Sequence, residues 1–197
     1  MTIHPIELES YRILEGKLDL AHLPPLCRAV VARVAHATAD LELARSMVVD
    51  EASLGAAVTA LASGAPVVTD VEMVTAGISG VDATCFLGEV GAGAEPTRSA
   101  AAMRRAAAAH QRGALFVVGC APTALEALIE LSLDGALAPA FVIGTPVGFV
   151  GAADAKEALR ATAIPAASNR GDKGGSAVAA AVLNALVRAA HEEAGRA

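Results

Sequence analysis

Apolar and polar positions along this chain fall into two alternating rhythms. Residues 65–70 (APVVTD), 83–90 (ATCFLGEV), 113–120 (GALFVVGC), 139–148 (PAFVIGTPVG) and 164–168 (IPAAS) are short apolar runs. Such runs predict buried strands, clearest in 113–120, which is β-branched and bounded by glycine. Between them apolar positions recur at helical spacing. In residues 23–37 (LPPLCRAVVARVAHA) Leu26, Val30 and Val34 share a face, and Pro24 and Pro25 suit a first turn. In residues 50–64 Asp50 reads as an N-cap and Gly64 as the stop. Further helices are expected over 71–78, 95–111, 122–135, 153–161 and from Gly174 onward. Strand and helix alternate about five times with short connections, which predicts an α/β fold with a parallel sheet covered on both faces. No linker, repeat or low-complexity insert interrupts the pattern, so residues 1–197 read as one domain.

Composition narrows the use of such a fold. Apolar residues make up 54% of the chain and aromatic ones 3%, with one Tyr and no Trp. Few platforms exist for stacking bases, and 15 basic against 21 acidic residues give a net charge of −6, so nucleic acid is not an expected partner. Cys27, Cys85 and Cys120 lack metal spacing and read as small buried hydrophobes in a reducing cytoplasm. The first residues carry charges and no apolar signal core, and no uninterrupted apolar run reaches the ~20 residues of a membrane span. A cytoplasmic protein without a membrane partner is expected.

In an open α/β sheet, ligands meet the carboxyl ends of the strands. Those ends hold Thr69, Asp70 and Glu72, then 93–98, then 120–123, then Thr145 and Pro146, then 168–173. Residues 169–182 (NRGDKGGSAVAAAV) set Arg170, Lys173, Gly174, Gly175 and Ser176 before an apolar helix, and helix-start amides beside an ammonium form an anion site. The order of residues does not match a phosphate loop. A carboxylate site and a plain solvated turn stay open beside a nucleotide site. His36 lies near a helix end with Arg33 on its face, and Asp40 follows as either an ion partner or the next helix cap. It reads as a proton donor or as an ordinary surface histidine. Asp70 and Glu72 read as an acid/base or metal-holding pair, or as a cap and a first-turn residue. No zinc spacing and no G-x-S-x-G elbow occurs.

Six stretches, ARVAHATAD, GAPVVTDVEMV, EPTRSAAAM, VVGCAPTAL, IGTPVGFVGAADAKEAL and NRGDKGGSAVAAAVLNAL, resemble in order and spacing the precorrin-8X methylmutase family of cobalamin biosynthesis. The resemblance implies a three-layer α/β/α, flavodoxin-like fold with a five-stranded parallel sheet. It implies a homodimer with the active site near the interface, no cofactor and no catalytic metal. The implied reaction moves a methyl group from C-11 to C-12 of the corrin precursor, on a metal-free or a cobalt-containing macrocycle. His36 falls on the family's catalytic histidine, with the role of a general acid assisting a sigmatropic shift. The tetrapyrrole's acetate and propionate groups are then the anions, met by Lys173, Gly174, Gly175 and Ser176 and by Arg98 with Thr97 and Ser99. Ser10 and Arg12 resemble an N-terminal segment of about 20 residues that lies over the site. Arg33, Asp70, Glu72 and Thr123 complete the expected substrate contacts. Cys120 departs from the resemblance, which leads one to expect asparagine there. Residues 168–176 look closer to the cobalt-using branch, and both branches stay open. A second expectation is a tetrapyrrole-binding scaffold of the same fold without chemistry.

Overall fold

All five apolar runs become parallel strands in the computed structural model, which describes residues 4–94 and 96–195. The remaining positions of the expected 1–197 unit lie outside the described residues. The chain opens with α1 (Pro5–Glu15), α2 (Pro25–Thr38), α3 (Leu41–Arg45), β1 (Met47–Val48) and α4 (Glu51–Ala62). It continues through β2 (Val67–Thr69), α5 (Glu72–Gly77), β3 (Thr84–Cys85), α6 (Arg98–Ala109), β4 (Leu115–Val118) and α7 (Pro122–Leu133). It ends with β5 (Phe141–Gly144), α8 (Ala152–Arg160), β6 (Ala166–Asn169) and α9 (Ser176–Ala194).

The sheet runs β1-β6-β5-β4-β2-β3, with β1 antiparallel to β6 and every other pair parallel. Leaving β1 aside, the parallel strands have the flavodoxin order, in which the second strand lies outside the first and the switch point falls between β2 and β4. The expected five-stranded sheet is therefore six-stranded. The addition is a two-residue edge ribbon, Met47 opposite Asn169 and Val48 opposite Ser168, too short to leave a sequence period. Run 83–90 shrinks to a two-residue strand followed by a 3-10 turn, Leu87–Glu89.

Alternate strand residues serve opposite layers, as the pleat requires. Val67, Leu115, Val117, Phe141, Ile143 and Ala167 pack with α2, α4 and α9. Val68, Phe116, Val118 and Val142 pack with α6, α7 and α8. Phe116 and Phe141 are fully enclosed, and truncating either to Ala would cost about 3–5 kcal/mol. Much of the abundant alanine lies on buried helix faces, as Ala100, Ala102, Ala106 and Ala107 of α6 do. Asp50 caps α4 as expected, accepting from the Ser53 amide at 2.8 Å. The cysteines split. Cys27 is buried, its thiol pushed up to about 11 by burial and then by Glu51. Cys85 is half-buried, whereas Cys120, expected inside, is exposed because it follows the last buried residue of the β4 segment.

Candidate functional site

His36 occupies the last turn of α2. That helix stops at Ala39, which takes a left-handed φ of 53°. The turn frees Asp40 to cap α3, where it accepts from the Leu43 amide at 2.9 Å. Of the two readings for Asp40, the cap is the one adopted.

Helix α1 lies against α2 and furnishes the surroundings of the imidazole. Ser10 Oγ lies 2.7 Å from His36 Nδ1. The neighbouring Tyr11 ring stacks on the imidazole, with centroids 5.1 Å apart and planes 24° from parallel. One residue thus meets the edge of the ring and the next meets its face. The helix is held down by Glu7, whose Oε1 accepts from Arg33 of α2 and from Arg188 of α9, each at 2.7 Å. Burial alone would raise the Glu7 carboxyl, but the Arg188 hydrogen bond and the charges of Arg188 and Arg33 outweigh it and hold the group below its ordinary value. Arg33 is therefore turned to Glu7. Arg12 points away, bonded to Glu9 one turn earlier on the exposed side of α1.

A second group gathers at the carboxyl ends of β5 and β6. Lys173 Nζ donates to Asp40 Oδ2 and Glu42 Oε2, each at 2.8 Å, which ties the turn before α9 to α3. Lys173 therefore stands near the end of the helix that bears His36. At Gly174 a Cβ would run into the carbonyl oxygens of Thr145 and Pro146, so only glycine fits. The Gly175 amide donates to the Thr145 carbonyl at 2.8 Å, and the first turn of α9, with Ser176 at its head, carries no side-chain cap. Beneath this turn lies Lys156, wholly buried, donating to the Lys173 carbonyl at 2.6 Å and to Asn169 Oδ1 at 3.2 Å.

The third group stands at the starts of α6 and α7. Thr97 caps α6 through the Ala100 amide at 3.1 Å, and its hydroxyl meets that of Thr123 at 2.8 Å. Arg98 is exposed, with one Nη2 bond of 3.2 Å to the Leu87 carbonyl, and Ser99 is half-buried. Glu72 opens α5 and is exposed, as its first-turn reading requires.

Asp70 differs from both expectations held for it. It does not cap α5, whose N-cap position is Val71 and which has no side-chain cap. Its carboxylate is 1% exposed and accepts the amides of Gly119, Cys120 and Ala121 at 3.1, 2.8 and 2.9 Å. Burial holds the carboxyl above its ordinary value, against the pull of those amides. A group so enclosed pins the β4–α7 turn. It also fills with a fixed internal anion the amide cradle beside the switch point. Among the described residues no three His, Cys, Asp or Glu side chains stand together in a metal-holding cluster.

Glu7, Tyr11 and Lys156 were not legible as members of these groups. Lys156 alone left a usable signal: it lies four residues after Ala152 and three before Leu159, on the apolar stripe of α8.

Comparison with known proteins adds a separate line of evidence. The family model described as precorrin-8X methylmutase matches residues 5–189. The cobalt-precorrin-8 methylmutase of Methanothermobacter thermautotrophicus is 45% identical over 174 residues, covering 86% of this chain and 84% of the relative. The precorrin-8X methylmutase of Sinorhizobium sp is 37% identical over 192 residues, covering 91% of each. Among solved structures, the precorrin-8X methyl mutase from Thermus thermophilus superimposes with a TM-score of 0.86 at 34% identity, covering 95% of this chain and 96% of that one.

Proposed function

Because this chain belongs to the precorrin-8X methylmutase family, we propose that it carries the isomerase activity of that family through His36. The chain is an isomerase that moves a methyl group from C-11 to C-12 of the corrin precursor macrocycle. His36 acts as the general acid. When the Ser10 hydroxyl donates to Nδ1, the ring proton sits on Nε2, where it meets a nitrogen of the bound tetrapyrrole. Withdrawing electron density there lowers the barrier to a shift in which bonds move within one molecule. The observation that carries this reading is the double restraint on the imidazole, Ser10 at its edge and Tyr11 on its face. A ring held in one orientation before substrate arrives loses little freedom on binding.

The macrocycle's carboxylates meet the turn 173–176 and Arg98. An ammonium has three donors, and Asp40 and Glu42 occupy two of those of Lys173, so the third serves a substrate carboxylate. Arg98, with no carboxylate partner among the described residues, offers a two-pronged contact. Thr97, Ser99, Thr123, Glu72 and Ser10 line the same reading, while Arg12 and Arg33 already face Glu9 and Glu7. The finer proposal is a single-domain homodimer in the cytoplasm with its site near the interface. Relatives carry both the metal-free and the cobalt-containing name, so both substrates enter the test. Purified protein is mixed with precorrin-8X and with cobalt-precorrin-8, and the macrocycle's absorption is followed. Turnover of either, slowed by about 10²-fold or more in His36→Ala while product still binds, supports the assignment. An unchanged rate in that variant would refute the acid role, and binding without turnover in the parent would make the chain a scaffold.

A further inference from the structure

Lys156 is charged, wholly buried and held only by neutral acceptors among the described residues. Its Nζ supports the Lys173 carbonyl and Asn169 Oδ1. Asn169 in turn directs its Nδ2 to the same Lys173 carbonyl at 2.8 Å and to that of Arg170 at 3.1 Å. The backbone that bears the Lys173 ammonium therefore rests on two donors rising from α8 and β6. Of the charges that act on Lys156, Arg160 on its own helix opposes it and Asp172 in the turn favours it. Burying an ammonium with no carboxylate bonded to it is costly, and a Met or Leu would fill the same stripe of α8 at no such cost. Packing does not account for a lysine here. The turn above it does.

We propose that Lys156 is a positioning residue for substrate binding, fixing the Lys173 carbonyl so that Lys173, Gly174 and the start of α9 present one rigid edge of hydrogen-bond donors to a substrate carboxylate. This rests on the reading that the turn receives such a carboxylate. Removing Lys156 loosens the turn without touching the reacting atoms.

The test is steady-state kinetics of the full chain with Lys156→Met, Lys156→Gln and Lys173→Ala, each checked for folding by circular dichroism and thermal melting. For folded Lys156→Met, KM rises about tenfold or more, the scale of one lost charge-assisted hydrogen bond, while kcat stays within about threefold. Lys156→Gln, which keeps a donor but no charge, falls between. An unchanged KM in folded Lys156→Met, or a fall in kcat alone, overturns the proposal. Should Lys156→Met fail to fold, Lys156→Gln decides by the same split. Lys173→Ala separates the two ideas. An unaltered KM there sinks the carboxylate reading of the turn, whereas a raised KM there with a silent Lys156 variant sinks only the positioning role.

Discussion

The cost of holding Lys156 charged can be read out through pH. Burial, with the charge of Arg160 beside it, lowers this ammonium from 10.5 to about 8. Each unit is worth about 1.36 kcal/mol, so the charged form is disfavoured in the folded chain by about 3 kcal/mol. Between pH 8 and 10.5 the unfolded chain holds this proton and the folded chain releases it. Stability from this residue therefore rises with pH through that window and is flat below it. Cys27 works in the opposite sense. Its thiol is raised from 9.0 to about 11, so the folded chain keeps a proton that the unfolded chain loses, and stability falls between those values. Only Lys156 contributes between pH 8 and 9 in this pair. Urea denaturation of the parent and of Lys156→Met, from pH 7 to 10.5, isolates the effect because Cys27 cancels in the difference. At pH 7 the two proteins differ little: the variant sheds a buried charge but leaves Asn169 Oδ1 without its donor. Across the range the parent gains about 3 kcal/mol on the variant. A gap that stays constant from pH 7 to 10.5 would show that burial does not lower this ammonium and that holding it charged costs the folded chain nothing.

Other substitutions probe the remaining contacts. Asp70→Ala leaves the amides of Gly119, Cys120 and Ala121 without their acceptor in a closed turn. It should cost about 3 kcal/mol or more in chemical denaturation, and a loss under about 1 kcal/mol would mean that solvent replaces the carboxylate easily. Glu7→Gln weakens the clamp between Arg33 and Arg188. It should lower kcat several-fold in the parent but barely in a Ser10→Ala background, because both act on the same imidazole; additive losses would separate them. Arg98→Ala should weaken product affinity about tenfold by titration calorimetry if its guanidinium grips a carboxylate, and unaltered affinity would place that contact elsewhere.

The central strands and their helices were legible because period and breakers agree there. Residues 113–120 are apolar, β-branched and glycine-bounded, and α7 follows at once. Five-residue α3 and two-residue β1 could not be read, since neither spans enough positions to set a period. His36 was accessible from the end of a well-marked helix, but its partners were not. Ser10 and Glu7 reach His36, Arg33 and Arg188 across long stretches of chain, and no local spacing encodes such meetings. Asp70 misled because a carboxylate before a short helix is ordinarily a cap. Here the neighbouring strand's loop presents amides in better geometry, and the side chain turns to them.

That turn bears on how one topology serves different ligands. With the order β3-β2-β4-β5-β6, the switch point lies between β2 and β4, where a ligand's negative group would meet the loop amides that open α7. Asp70 comes from the end of β2, one side of that crevice, and bonds the loop that follows β4, the other side. A phosphate entering there would have to displace a buried carboxylate already bonded to three amides, and would meet like charge on approach. The start of α9 also lacks a side-chain cap, and it lies beyond β5 and β6, beside Lys173 and above Lys156. An ammonium and an uncapped helix start thus stand along the sheet from the switch point, toward the end of α2 that carries His36. A broad ligand with charged groups on its rim and a reactive centre away from them suits that arrangement better than a nucleotide does, because its anions and its reactive centre are met at separate places.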